Sequence, residues 1–319
     1  MKTLIVTSPT TFEVVEVPAP QPGPGEVVMK VEAVTTCPQW DLHLRHNEPM
    51  FIGHQFHYPY PPGQPGHEAT GYVAAIGEGV VELSVGDRVS TWNDPGPTAP
   101  GCYAQFVLRR AENLIRVPSR LPFEATASIE LAMCVGATFV MLREMSAIAG
   151  RRCAVMGLGP AGLIALQMMK AEGAAEVIGF DLSPQRRDLA LQLGAAAAFD
   201  SREELPFPLR PAAEIECAID CVGAKGTVEW LMNRTKETVA LFGVQREDYT
   251  FALHHYSLKL CGYPGHSRAA AEYAVDLVEQ GQLNLAPLAT HQLPLEEYGR
   301  GVDLLENQEA IKICLRPWW

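Results

Sequence analysis

This chain of 319 residues has no Cys-x-x-Cys pair, no lysine- or arginine-rich run, no internal repeat and no low-complexity linker. Its eight cysteines stand far apart, at 37, 102, 134, 153, 217, 221, 261 and 314, which excludes a disulfide framework of the kind that staples small secreted domains. Most read as buried thiols: Cys153, Cys217 and Cys314 fall inside apolar runs, where cysteine packs as a small hydrophobe. Positive charge is scarce as well. Lys and Arg number 25 against 37 Asp and Glu, and the formal net charge of −12 argues against a nucleic-acid or anionic-membrane surface. Small molecules are the expected partners. The opening MKTLIVTSPTTFEVVEV turns polar too early for a secretory signal and no run reads as long and apolar enough to span a bilayer, so a cytoplasmic location is expected.

Apolar residues make up 47 % of the chain, enough for two cores at this length. The first 120 residues carry short β-prone runs, among them TLIVTS, FEVVEV, EVVMKVEAV and TGYVAAIGEGV, broken by Pro- and Gly-rich punctuation. A β-rich domain is expected there. From Phe123 a helical pattern runs toward Gly150, and strands then alternate with helices: CAVMG, EVIGFD, AAAAFD, IECAIDCVG, TVALFGV and LKLCGYPG. That alternation predicts a doubly wound parallel sheet, hence an α/β protein. A last helix, AAAEYAVDLVEQG, precedes a tail ending in the strand-like IKICLRP.

CAVMGLGPAG, residues 153–162, carries the clearest chemistry. A buried strand runs into a glycine turn that opens a helix: Gly157 suits the tight turn, Gly159 keeps side chains away from a pyrophosphate, and Gly162 permits close helix packing. Pro160 and Ala161 complete the turn, and the pyrophosphate would rest on free N–H groups at the helix start. Asp181 ends the next predicted strand, nineteen residues beyond Gly162, where a carboxylate accepts hydrogen bonds from the adenosine ribose and repels a 2′-phosphate. NAD(H) is therefore expected over NADP(H). Arg186 and Arg187 read as a solvated helix face.

A β-rich first domain, a dinucleotide domain and a short return, with PGQPGHEATGYVAAIGEGV (62–80), VGDRV (85–89), GCYAQFV, the glycine fingerprint and LATHQLPLEEYGRGVDLLE, resemble the medium-chain dehydrogenase/reductase family in its zinc-type alcohol dehydrogenase branch. The resemblance covers nearly the whole chain. It implies a GroES-like catalytic domain over 1–123 and 266–319, a Rossmann domain over 124–265, and a homo-oligomer, dimer or tetramer.

It also implies one catalytic zinc, held by Cys37, by His67 of the Gly-His-Glu segment and by Cys134 of MCVGATF, with Glu130 or Glu68 as the alternative third ligand and Thr138 at the nicotinamide. Zinc needs such N and S donors with one position left open. Two departures stand out. The family's Cys-Gly-Ser/Thr-Asp-x-His becomes CPQWDLH (37–43) here, so the hydroxyl beside the cysteine is missing. Asp41 is then expected to orient His67, and His43 to carry the proton outward. The family's four-cysteine lobe is replaced by TWNDPGPTAPGCYAQF, which has Cys102 alone, so no structural zinc is expected.

His54, His57, Tyr58 and Tyr60 crowd the segment ahead of Gly-His-Glu, as a polar substrate wall, as metal ligands or as local packing, while Trp40 and Trp92 take family positions lining the substrate cleft. The function implied is an NAD-dependent, zinc-assisted dehydrogenase of an alcohol or polyol. The alternatives are a zinc-free quinone- or enoyl-type reductase on the same fold, or a nucleotide-binding sensor without turnover.

Overall fold

The computed structural model describes residues 1–203 and 207–319. The chain forms two compact units, Met1–Leu131 with Leu285–Trp319, and Ala132–Asn284. The first break falls eight residues later than expected and the return nineteen later. The reason for the second difference is the helix over Arg268–Glu279, which packs inside the second unit: Gly136 faces Ala270 and Tyr273, and Gln167 bonds the carbonyl of Asn284.

In the first unit β1 (Lys2–Ser8) and β2 (Thr11–Glu16) form an antiparallel hairpin. The long β3 (Glu26–Thr35) is followed by helix α1 (Pro38–His46), then β4 (Glu68–Ile76), β5 (Arg88–Thr91), β6 (Phe106–Arg110) and β7 (Leu114–Arg116). The second unit begins within α2 (Ile129–Glu144) and continues with β8 (Arg152–Met156), α3 (Pro160–Ala171), β9 (Glu176–Phe180), α4 (Pro184–Gln192), β10 (Ala197–Phe199), β11 (Ile215–Asp220), α5 (Lys225–Arg234), β12 (Thr235–Leu241), β13 (Lys259–Cys261) and α6 (Arg268–Glu279). The chain then returns to the first unit as β14 (Ala289–Leu293), α7 (Tyr298–Glu306) and β15 (Lys312–Leu315).

The first sheet runs β14-β15-β3-β4-β5-β7, with β6 also on β3. β3 is its spine because Val27, Met29, Val31 and Val34 are buried, each contributing roughly 1.5–3 kcal/mol through its apolar surface. Register then brings three chain segments to one end: Thr35 pairs with Glu68 on β4 and with Cys314 on β15. The second sheet is parallel in the order β10-β9-β8-β11-β12-β13, so all six expected strands are present in a doubly wound arrangement.

One expectation is corrected. Phe123–Glu144 is long and apolar enough to cross a membrane by length and composition, but most of it is buried inside the protein. It is a core helix whose neighbours are protein side chains. Residues 123–125 form a separate 3₁₀ turn, so α2 starts later than the sequence pattern suggests.

Candidate metal centre and nucleotide cradle

In the first unit Cys37 caps α1, with extended backbone (φ −100, ψ 100) and Pro38 at the first helical position. Proline there gives up an N–H that has no helical partner, and the N-terminal dipole favours a negative sulfur. His67 and Glu68 enter where β4 begins. Donor atoms of Cys37, His67 and Glu68 all lie within 4.8 Å of one another. Within this unit the trio is thus completed by Glu68, one of the two alternatives, while Cys134 sits in the second unit with its Sγ 3.4 Å from Nδ1 of His266. The sequence reading did not single out His266.

His67 is oriented differently from expectation. Its Nδ1 lies 2.8 Å from the carbonyl oxygen of Pro65, to which it donates, leaving Nε2 for the cluster. Asp41 is fully buried and accepts the hydroxyls of Tyr103 (3.0 Å) and Tyr298 (2.8 Å) instead. Burial pushes the Asp41 carboxyl up to about 6, against the opposing pull of the tyrosine hydrogen bonds and the His67 charge. Its influence on His67 is therefore electrostatic. Burial disfavours a charged His67, but the hydrogen bond and charge of Cys37, with Glu130 and Glu68, outweigh it and hold the imidazole well above its usual range. The arrangement favours positive charge on or beside the imidazole.

A metal fits these residues. Glu68 is buried and among the described residues its Oε1 accepts no hydrogen bond, a loss of about 1–3 kcal/mol that a coordinated cation would offset. One thiolate, one imidazole and one carboxylate form a zinc donor set. The other oxygen, Oε2, accepts the Thr35 hydroxyl at 2.8 Å and meets the buried ammonium of Lys312.

Around the cluster, His43 on α1 lies 3.3 Å from the carbonyl oxygen of Glu48 and 3.8 Å from its carboxylate. Trp40 stands edge-on to His54 (5.4 Å) and Phe56 (6.2 Å), so His54 belongs to an aromatic cluster. Among the described residues neither His54 nor His57 joins a group of metal donors. The shortened lobe after β5 is pinned by side chains: Gln64 donates to the carbonyls of Gly96 and Ala99, and Arg109 to that of Pro100 and to Cys102 Sγ. Trp92 donates to the Glu112 carbonyl at 2.9 Å.

In the second unit the turn between β8 and α3 has the features a dinucleotide needs. Gly157 holds φ 86, and a Cβ on Gly162 would stand 1.7 Å from the Gly157 oxygen, so only glycine serves at either place. A Cβ on Gly159 would meet nothing within 4 Å, which leaves open space over the helix start at Pro160 and Ala161. Asp181 is drawn under this turn: it accepts the N–H of Leu158 (2.7 Å) and of Ser183 (2.8 Å), one on each oxygen. Each oxygen keeps a lone pair for a ribose hydroxyl. Arg186 and Arg187 form no freely solvated face. Arg186 lies 3.9 Å from Asp181, and Arg187 bonds the Asp181 and Leu182 carbonyls and Asp200. Thr138 on α2 is buried, with no hydrogen-bond partner for its hydroxyl among the described residues.

Residues 23–119 match the alcohol dehydrogenase GroES-like domain, and residues 160–279 the zinc-binding dehydrogenase domain. Sorbitol dehydrogenase of Macaca fascicularis is 28 % identical over 348 residues, spanning 98 % of this chain and 95 % of that protein. L-Threonine 3-dehydrogenase of Bacillus subtilis is 28 % identical over 341 residues, spanning 95 % and 94 %. The solved 2R,3R-butanediol dehydrogenase of Bacillus subtilis covers 99 % of each chain with a TM-score of 0.85 at 23 % identity, a likeness of fold.

Proposed function

The chain belongs to the medium-chain dehydrogenase/reductase family of oxidoreductases, and on that premise we propose that it is an NAD-dependent, zinc-assisted dehydrogenase interconverting an alcohol or polyol and its carbonyl. The observation that carries this reading is the preassembled cluster of Cys37, His67 and Glu68 at the end of the first sheet. Polyol and hydroxy-amino-acid dehydrogenases among its relatives support the substrate class.

When bound, zinc supplies Lewis acidity toward the substrate oxygen, and the nicotinamide accepts or returns the hydride. The chain's own residues do the rest. Cys37 and His67 would anchor the ion, with Glu68 as the third donor within the first unit. The Pro65 carbonyl fixes the tautomer of His67. His43 takes the proton away from the substrate side, since no hydroxyl follows Cys37. Gly157, Gly159 and Gly162 shape the pyrophosphate seat, Asp181 selects the unphosphorylated ribose, and Thr138 holds the carboxamide. We assign the protein to the cytoplasm as a dimer or tetramer acting on small molecules, with one zinc per chain and no nucleic-acid or membrane partner.

The experiment is a substrate panel of simple alcohols, vicinal diols and sugar alcohols with NAD, each assayed on zinc-replete and chelator-treated protein. Reduction of NAD that requires zinc and a hydroxyl substrate supports the reading. Equal rates after chelation point instead to the zinc-free reductase.

A further inference from the structure

The connection from β12 to β13 makes one short 3₁₀ turn, Leu253–His255, and two adjacent histidines sit in it. Both reach the same atom: Nε2 of His254 lies 2.7 Å and Nε2 of His255 3.0 Å from Oδ1 of Asn233, in the last turn of α5. An amide oxygen only accepts, so each ring offers it an N–H. The other nitrogen of His255 is engaged as well, because Nδ1 accepts the N–H of Ala252 at 3.0 Å. His255 is 2 % exposed, and its contacts define one form of the ring, neutral with the proton on Nε2.

A second proton has no place on that ring. On Nδ1 it would face the N–H of Ala252, donor against donor, and the turn would lose that bond. The surroundings add to the opposition. His254 lies 4.0 Å away between ring centroids, and Arg210 crosses the turn, donating to the carbonyl oxygen of His254, to the Ser257 hydroxyl and to the Thr235 and Lys236 carbonyls at the start of β12. Glu229 on α5 pulls the other way and accepts the N–H of Thr250. Burial, with the charges of His254 and Arg210, outweighs it and holds the His255 imidazole below its usual range.

The turn leads directly into β13, the edge strand of the parallel sheet, through the N–H of Leu258 on the His255 carbonyl (2.7 Å). We propose that Asn233 and His255 form an acid-released clasp on this connection, closed while His255 is neutral and opened by a proton, so that β13 loosens from the sheet edge. The sign follows from linkage. An opened turn takes up its proton near the ordinary value of 6.5, whereas the closed turn resists it. Closure is therefore fully favoured above that value, and the open fraction grows by up to about tenfold for each pH unit below it, until the closed form also protonates.

The test is amide hydrogen exchange on the full chain, read as protection of residues 252–261 relative to β8 and β11 at the centre of the same sheet. Between about pH 7.5 and 5.5 the parent should lose roughly tenfold in protection at 252–261 and little at β8 and β11. His255→Gln cannot take the proton and should exchange at 252–261 with no such pH dependence, while His254→Gln should keep it. The long-range proton–nitrogen spectrum of the histidine rings tests the same point in the parent alone: His255 should show the Nε2–H form at neutral pH and lose it together with the protection. A pH dependence that survives in His255→Gln, protection at 252–261 that only follows β8 and β11, or a protonated His255 in a chain still fully protected there would overturn the proposal.

Discussion

The Nδ1 of His67 rests 2.8 Å from the carbonyl oxygen of Pro65, so a backbone acceptor two residues away, and no carboxylate, decides which ring nitrogen is left for the donor group of Cys37 and Glu68. Asp41, released from that duty, is held by two tyrosines and left in a site that disfavours its charge.

Stability should carry the mark of Asp41. Its carboxyl titrates near 6 in the folded chain against an ordinary value of 3.8, so between these values the native state keeps a proton that the unfolded state has released. Stability from this group is full below pH 4 and is lost as pH rises through 6, by about 3 kcal/mol in all. Denaturant unfolding of chelator-treated protein, compared between parent and Asp41→Asn, should show that downward component in the parent and not in the variant. Identical pH profiles would mean that Asp41 releases its proton at the same pH in the folded and the unfolded chain.

The nucleotide seat separates into two kinds of glycine. Gly159→Ala should fold normally, since its Cβ meets nothing, yet weaken NADH binding by roughly tenfold or more by filling the pyrophosphate seat. Gly162→Ala forces a Cβ against the Gly157 oxygen and should cost roughly 1–3 kcal/mol of stability whether or not cofactor is present. Fluorescence titration with NADH and thermal melts tell the two effects apart.

In the proposed function cofactor choice turns on Asp181. NADH should bind more tightly than NADPH by roughly tenfold or more, and Asp181→Ala should narrow the difference by removing the repulsion of a 2′-phosphate and leaving Arg186 beside it. Equal or tighter NADPH binding by the parent would refute this use of Asp181.

In the proposed function the proton route runs through His43. The pH profile of alcohol oxidation should contain an ionisation that vanishes in His43→Ala, with a rate loss on the order of a hundredfold that added imidazole partly restores. An unaltered profile at saturating cofactor would make Glu48, its neighbour, a packing partner of a structural histidine.

What the sequence made legible was what backbone geometry restricts to few residue types. Gly157 and Gly162 are glycines for steric reasons that act within ten residues, and the six parallel strands were visible as apolar runs between turn signals. Cys37 and His67 were found through short motifs. The groups that govern them were not, because each contact spans the fold. Lys312 lies 244 residues from Glu68, and Tyr298 lies 257 residues from Asp41. Pro65 contributes a carbonyl, which no side chain announces. One signal was present and passed over: a lysine inside the apolar run IKICLRP, where burial demands an anion to meet it.

Zinc content of the purified chain, measured by elemental analysis beside Cys37→Ala and His67→Ala, tests the account most directly. One zinc per chain is predicted for the parent, and none for either variant, while circular dichroism shows both variants still folded. A parent without zinc, a second tightly held ion, or a folded variant that keeps its zinc would contradict it.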